Sequence, residues 1–213
     1  YTAVGHQTLQ ANTTGTNNVA VGRDALNDNT TGDSNTAVGV YALDASSGAN
    51  ENTAMGYQSL TSCTTGEGHA AFGWRSLTAC TTANDNTAFG HAAVRDTTTG
   101  AENTAVGRAA LQVNTTGSNN TVLGSNALIA NTTASNNVAI GRRAMYGNTT
   151  GTANVAIGYQ ALYTNTTQSE NVAVGYNALY NAAGNNNTAV GTEAGENLTT
   201  GYANTCLLYT SPS

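Results

Sequence analysis

The chain has 213 residues with 12 acidic side chains, six basic side chains and a formal net charge of -6. Because no basic patch is available to neutralise phosphates, the composition excludes nucleic acid as a partner. No apolar run approaches the roughly 20 residues of a membrane span, so we expect no membrane contact within this stretch.

One sequence element recurs along nearly the whole chain, for example NTAVGRAALQVNTTG at Asn103 to Gly117. The glycine that closes the AVG part returns at a spacing of 17 residues ten times and then of 16 residues. A fixed period of this size is typical of stacked supersecondary units. We therefore predict one array of rungs over residues 1–205, with one rung per repeat, followed by a non-repeat tail at 206–213 that we interpret as read-through of a sequencing adapter.

Each rung begins with a short predicted strand that ends just before the glycine. The residue before the glycine is apolar in all twelve rungs, and the residue two before it is Ala in all but one. This alternation predicts Ala in a tight interior and Val, Ile or Thr on the opposite strand face. The Leu that follows and the NTTG segment predict a second brief strand between two turns, with positive φ at Asn and Gly.

In-register stacking explains the remaining composition. Parallel rungs about 4.8 Å apart place each residue beside its column-mates, where like charges repel and Asn and Thr side chains hydrogen-bond along the stack. Proline occurs once, at Pro212. The predicted fold class is all-β, a parallel β-solenoid of about twelve 17-residue rungs.

Three short sequences carry a family resemblance: NNVAIG at Asn136 to Gly141, NVAIG at Asn154 to Gly158, and NVAVG at Asn171 to Gly175. They resemble the head repeats of YadA-like trimeric autotransporter adhesins, and related arrays form the shafts of tail-fibre-type surface fibres. In that family the repeat is shorter and lacks the NTTG extension. The resemblance implies a left-handed β-roll, three chains side by side, and an extracellular, cell-surface or virion fibre.

If Ala and Leu fill the interior, the opposite strand face becomes a continuous apolar stripe. A long exposed stripe of this kind marks a subunit interface, so we predict a parallel homotrimer with the stripe on its axis. The interface candidates are Val138, Ile140, Val155, Ile157, Val172 and Val174.

Positions just after the glycine vary most, which predicts solvent exposure at a turn. Exposed Tyr, Trp and Arg are common binding anchors, so these positions are candidates for contact with a host-surface protein or a glycan. A tolerant, solvated corner is the competing interpretation. The candidates are Tyr57, Trp74, Arg75, His91, Arg108, Arg142, Arg143, Tyr159 and Tyr176.

Other patterns give weaker hypotheses. Five carboxylates precede consecutive strands and suggest a cation groove or a solvated acidic edge; without calcium-roll spacing, we expect no metal. They are Asp33, Glu51, Glu67, Asp85 and Glu102. The Thr column leaves open a monomeric ice-binding or extracellular-matrix solenoid. The periodic turn explains the NTT sequons without a glycan.

Cysteine and histidine usage gives the last expectations. Cys63 and Cys80 share a column and should be neighbours, bonded only in an oxidising compartment. The three histidines have no recurring Ser or Cys partner, and no phosphate-binding loop is present, so we predict a non-enzyme without a cofactor.

Overall fold

The computed structural model describes residues 1–208. Its regular structure consists of thirteen strands of three residues each, which join in sequential order into one parallel sheet. The strands are β1 Thr2–Val4, β2 Val19–Val21, β3 Thr36–Val38, β4 Thr53–Met55, β5 Ala70–Phe72, β6 Thr87–Phe89, β7 Thr104–Val106, β8 Thr121–Leu123, β9 Val138–Ile140, β10 Val155–Ile157, β11 Val172–Val174, β12 Thr188–Val190 and β13 Thr205–Leu207.

The sheet keeps the register of the repeat throughout, so that Ala20 pairs with Ala37 and Ala37 with Ala54. The predicted all-β parallel solenoid is therefore confirmed. Within residues 1–208 the chain has no helix long and apolar enough to cross a membrane.

The interior is narrow and filled by small and medium side chains. From β2 to β12 the central strand residue is buried, as Ala37 and Ala105 show, and Leu side chains such as Leu43 and Leu111 fill the remaining space. Because Ala occupies little room, the sheet and the opposite wall of each rung approach closely. The predicted Ala and Leu interior is confirmed.

The predicted second strand is wrong. The segment after the glycine consists of turns, and its buried Leu adopts left-handed backbone geometry, for example Leu26 at φ 53° and Leu111 at φ 54°. The residue two positions earlier is also left-handed, as Asp24 at φ 56° shows. Non-glycine residues seldom adopt this conformation, so sequence propensity gives no signal for it.

The closing glycine is required on both conformational and steric grounds. Gly73 has φ +133°, and a Cβ added to it would lie 2.5 Å from the carbonyl oxygen of Gly90 in the next rung. A side chain at this position would separate the rungs. This explains why glycine closes all twelve repeats, a regularity that first defined the period.

The turn that follows NTTG differs from the prediction. Gly32 does not have positive φ; the left-handed residue is Ser34, two positions later, at φ 59°. A Cβ on Gly32 would meet the carbonyl oxygen of Ala49, which occupies the same column in the next rung. Small size, rather than left-handed geometry, is therefore what the glycine of NTTG provides.

Two columns of buried asparagines bind the rungs together. In the first, here the inner ladder, Asn120 Nδ2 donates to Asn103 Oδ1 at 3.0 Å and to the Ala134 carbonyl at 3.0 Å. The Asn120 Oδ1 accepts the backbone N–H of Asn137 at 3.1 Å. Stacked amides of this kind confirm the predicted hydrogen bonding between column-mates.

The second column, here the amide ladder, contains the asparagines of the NTT sequons. Asn131 Nδ2 donates to Asn114 Oδ1 at 2.8 Å and to the Ala134 carbonyl at 3.0 Å. Asn114 and Asn131 are fully buried. Their side-chain nitrogens are committed inside the fold, which agrees with an explanation of the sequons that needs no glycan.

The repeat register continues past residue 205, where the tail was predicted to begin. Cys206 pairs with Ala189 and Leu207 with Val190 in β13. The N–H of Leu208 donates to the Val190 carbonyl at 3.0 Å, as a closing glycine does in other rungs. The rest of the predicted tail, 209–213, lies outside the described residues.

Candidate functional site

The outward side chains of the strands form one surface, here the strand face, in which the third residue of each strand is apolar and the first is Thr, Val or Ala. It comprises the first and third residues of each strand, and none of these residues is charged. Among the predicted interface residues, Ile157 is 37% exposed, while Val138, Ile140, Val155, Val172 and Val174 are half-buried. Phe72 and Phe89 stack on this face with their centroids 5.3 Å apart. The predicted exposed stripe is present along the whole sheet.

The C-terminal ends of the parallel strands share one border of this face, here the C-edge, formed by the first two residues after each glycine. Five of the six arginines occupy it: Arg23, Arg75, Arg108, Arg142 and Arg143. The aromatic candidates Tyr57, Trp74, Tyr159 and Tyr176 also lie there, with His91. The structure thus brings every predicted ligand-contact residue to a single border.

The aromatic side chains of the C-edge stack along the solenoid axis. Tyr57 and Trp74 have centroids 6.4 Å apart and planes 14° apart, and Trp74 and His91 have centroids 4.5 Å apart and planes 15° apart. Tyr159 and Tyr176 form a second stack at 5.3 Å. Neighbouring rings therefore cover one another's faces and present their edges to solvent.

Arginines accompany the rings of the C-edge. Arg75 lies 5.2 Å from the Trp74 ring centroid and Arg142 lies 5.7 Å from that of Tyr159. At these distances a guanidinium is attracted to the face of the ring. The border therefore combines aromatic rings with positive charge.

The remaining arginines of the C-edge differ in their partners. Arg143 packs over Tyr146, 5.8 Å from the ring centroid. Arg23 pairs with Asp24 at 3.3 Å. In residues 1–208, no carboxylate lies within ion-pair distance of Arg75, Arg108, Arg142 or Arg143.

The N-terminal ends of the strands share the opposite border, here the N-edge, formed by the two residues that lie five and six positions before each closing glycine. It holds the five predicted carboxylates and Glu170, and it contains no Arg, Lys or His. The five carboxylates do not form a single ladder, because they are divided between two adjacent columns: Asp33 and Glu67 in one, and Glu51, Asp85 and Glu102 in the other.

Some of these carboxylates act as structural acceptors. Asp33 accepts from the N–H and the hydroxyl of Thr16 at 2.6 and 2.9 Å, and the Thr16 backbone bond, with the hydroxyl bond, lowers the pKa of Asp33. Glu67 accepts from Asn50 Nδ2 at 2.8 Å. No group of three or more His, Cys, Asp or Glu residues within 1–208 could hold a metal ion.

In the threonine column of the NTT segment, hydroxyls hydrogen-bond to carbonyls of the next rung. Thr115 Oγ1 donates to the Thr132 carbonyl at 2.9 Å, and Thr132 Oγ1 donates to the Thr149 carbonyl at 3.1 Å. These hydroxyl hydrogens are committed to neighbouring rungs and are not free to order water. No observation in the described chain favours the ice-binding alternative.

Cys63 and Cys80 are neighbours, as predicted, and are joined by a hydrogen bond, but sequence reasoning missed the buried His69 beside them. His69 takes an asparagine position in the inner ladder: Nδ1 accepts the Asn86 N–H at 3.1 Å, so Nε2 is the protonated nitrogen that donates to the Ala83 carbonyl at 2.7 Å. Cys80 Sγ lies 3.4 Å from that nitrogen, and both cysteines are free and buried. A hydrogen bond to Cys63 and burial raise the pKa of the Cys80 thiol. The period itself was the available signal, since His69 shares a column with Asn52 and Asn86.

Comparison with known proteins gives no match: no protein-family model, no curated protein and no solved structure is similar to this chain. The functional interpretation therefore depends on the strand face and its two edges.

Proposed function

We propose that this chain is a segment of an extracellular fibre, an adhesin head or fibre shaft, in which three parallel copies pack side by side. The observation that carries the proposal is the strand face, an uncharged surface whose apolar column, the third residue of each strand, runs across all thirteen strands. Soluble monomers seldom leave a continuous surface of this kind in water, whereas subunit interfaces cover one.

The dimensions of the strand face support packing along its length. Twelve steps of about 4.8 Å make the face about 58 Å long, and three residues make it about 10 Å wide. A narrow strip of this shape is poorly suited to a compact globular partner, which would cover only part of it. A second solenoid with the same rung spacing covers all of it.

The rung structure supports a mechanical role. Two buried asparagine columns and the threonine column add side-chain bonds to the backbone bonds of the sheet, so each rung is held to the next by several groups. The resulting fibre is extended and regular. On the C-edge, Tyr159, Tyr176 and Arg142 lie on rungs outside the charged strands β5 to β7, and they are the residues that we propose for attachment to a host-surface protein or a glycan.

The test is to place charge on the strand face. We expect Ile140→Asp with Ile157→Asp to convert trimers into folded monomers, measured by size-exclusion chromatography with light scattering and by circular dichroism. The matched control is Thr133→Asp with Thr150→Asp, which puts the same charges on exposed positions away from the face. If the aspartate variant unfolds, Ile140→Ser with Ile157→Ser gives the milder version of the same change.

Two outcomes would contradict the proposal. One is a wild-type chain that is monomeric at every concentration. The other is a strand-face variant that stays as associated as the control.

A further inference from the structure

The two edges of the strand face carry opposite charge on β5 and β7. Glu67 lies at the N-terminal end of β5 and Arg75 at its C-terminal end; on β6, between them, Asp85 and the His91 ring hold the corresponding positions. Glu102 and Arg108 flank β7. Because the three strands are consecutive, parallel and in register, each row runs along one border of the face.

Within residues 1–208, these carboxylates and arginines form no ion pairs with each other. The ion pairs of residues 1–208 are Arg23 with Asp24 and Arg95 with Asp96. Glu67 and Glu102 are exposed, and so is Arg108. Carboxylates and arginines on opposite borders of an apolar strip are therefore left for groups outside the chain.

We infer that the two edges pair between copies of this chain and select parallel, rung-matched packing, an inference that depends on the proposed side-by-side fibre. When copies turn about an axis along the solenoid, the C-edge of each copy meets the N-edge of the next. Arg75 then faces Glu67 of its neighbour, and Arg108 faces Glu102, at the same rung. When one copy is reversed end to end, like edges meet and the charges repel.

Charge of this kind contributes more to the choice of orientation than to affinity. Like charges placed together across an interface are costly, while correct pairs steer encounter and fix the register. The apolar face alone would accept a parallel or an antiparallel neighbour, because its Val, Ile and Thr columns have no polarity along the axis. The edges supply that polarity.

The attraction between these charged groups acts over a short distance and is screened by salt. Exposed pairs lose most of their attraction above about 1 M salt, where the Debye length falls to about 3 Å. The wild-type assembly should therefore weaken as salt rises from about 0.05 M to about 1 M.

The test uses three variants of the full chain at low salt, with association measured by sedimentation and folding by circular dichroism. The first reverses the C-edge with Arg75→Glu and Arg108→Glu, and the second reverses the N-edge with Glu67→Arg and Glu102→Arg. The third carries all four substitutions, so its edges are again complementary. We expect each single-edge variant to associate at least about tenfold more weakly than wild type, and the four-substitution variant to recover to within about threefold.

The outcomes separate this inference from the proposed function. A wild-type chain that is monomeric contradicts both the proposed fibre and the pairing of its edges. A wild-type trimer whose single-edge variants associate as well as wild type, or whose four-substitution variant does not recover, overturns the edge pairing and leaves packing through the strand face standing.

Discussion

The amide ladder changes character between two segments of the solenoid. From Asn114 to Asn165, here the amide segment, each asparagine donates to the one before it, at 2.8 Å for Asn131 and 2.9 Å for Asn165. From Ser46 to Thr97, here the thiol segment, the same column holds Ser46, Cys63, Cys80 and Thr97. Both segments keep the same sheet pairing.

The difference teaches which interactions specify the fold. Cys63 Sγ donates to the Gly66 carbonyl at 3.5 Å and is hydrogen-bonded to the Cys80 thiol, but it bridges no neighbouring asparagine. Since the register survives there, the glycine columns, the strand pairing, the inner ladder and the Leu interior suffice to build a rung without the amide ladder. The amide ladder adds stability to a structure that the backbone already defines.

The outer surfaces of the two segments are similar in kind. The stack of Tyr57, Trp74 and His91 lies on the rungs of the thiol segment, together with the charged ends of β5 and β6. The amide segment carries its own stack, in which Tyr146 and Tyr163 have centroids 5.2 Å apart. The difference between the segments therefore lies in the buried column.

The largest expected effect concerns His69, which replaces an asparagine of the inner ladder beside the thiol segment. His69→Ala leaves the Ala83 carbonyl and the Asn86 N–H without partners and opens a cavity, so we expect a loss of about 4 kcal/mol in the free energy of unfolding. His69→Asn restores both bonds, as in neighbouring rungs, and should lie within about 1 kcal/mol of wild type. Urea unfolding measures both; equal losses would show that His69 has a role other than that of an asparagine.

The next effect compares the two segments directly. Asn131→Ala leaves Asn114 Oδ1 and Asn148 Nδ2 without their Asn131 partners and removes one of the two donors to the Ala134 carbonyl, so we expect a loss of about 3 kcal/mol. Cys80→Ala in the thiol segment removes one sulfur and should cost about 1 kcal/mol. Equal shifts of the urea midpoint would contradict the view that the amide segment is more tightly held.

The smallest effect is expected at the N-edge. The pKa of Asp33 is lowered from its ordinary value of 3.8 by the Thr16 bonds. A lowered folded-state pKa contributes stability that is present above the unfolded value and is lost as pH falls through the folded value. Asp33→Asn should therefore remove a small stabilisation that is present at pH 7 and flatten the profile below pH 3.8, so that variant and wild type converge at low pH. An unchanged acid profile in thermal melts would remove this role for Asp33.

Much of the fold could be predicted from the sequence because the period fixes the register. Gly5 to Gly191 marks every rung, and the Ala before each closing apolar residue predicted both the interior and the outward stripe. The left-handed Leu could not be predicted, because Leu has no local preference for positive φ and adopts it only when buried between rungs.

The sequence predicted where the candidate residues lie, but it did not predict how their side chains are arranged. Column analysis placed Tyr57, Trp74 and His91 at the surface, where the structure has them, but it missed that their rings stack along the axis. The charge of the two edges was also present in the sequence. The separation of these charges onto two borders could be recognised only from the parallel strands, which place all N-terminal ends on one side.

The proposed assembly is the central claim, and sedimentation equilibrium of the wild-type chain tests it most directly. The prediction is a species with three times the mass of the 21.5 kDa chain, maintained on dilution at low salt. A single species of 21.5 kDa at all concentrations would contradict it and would leave the strand face exposed on a solitary solenoid.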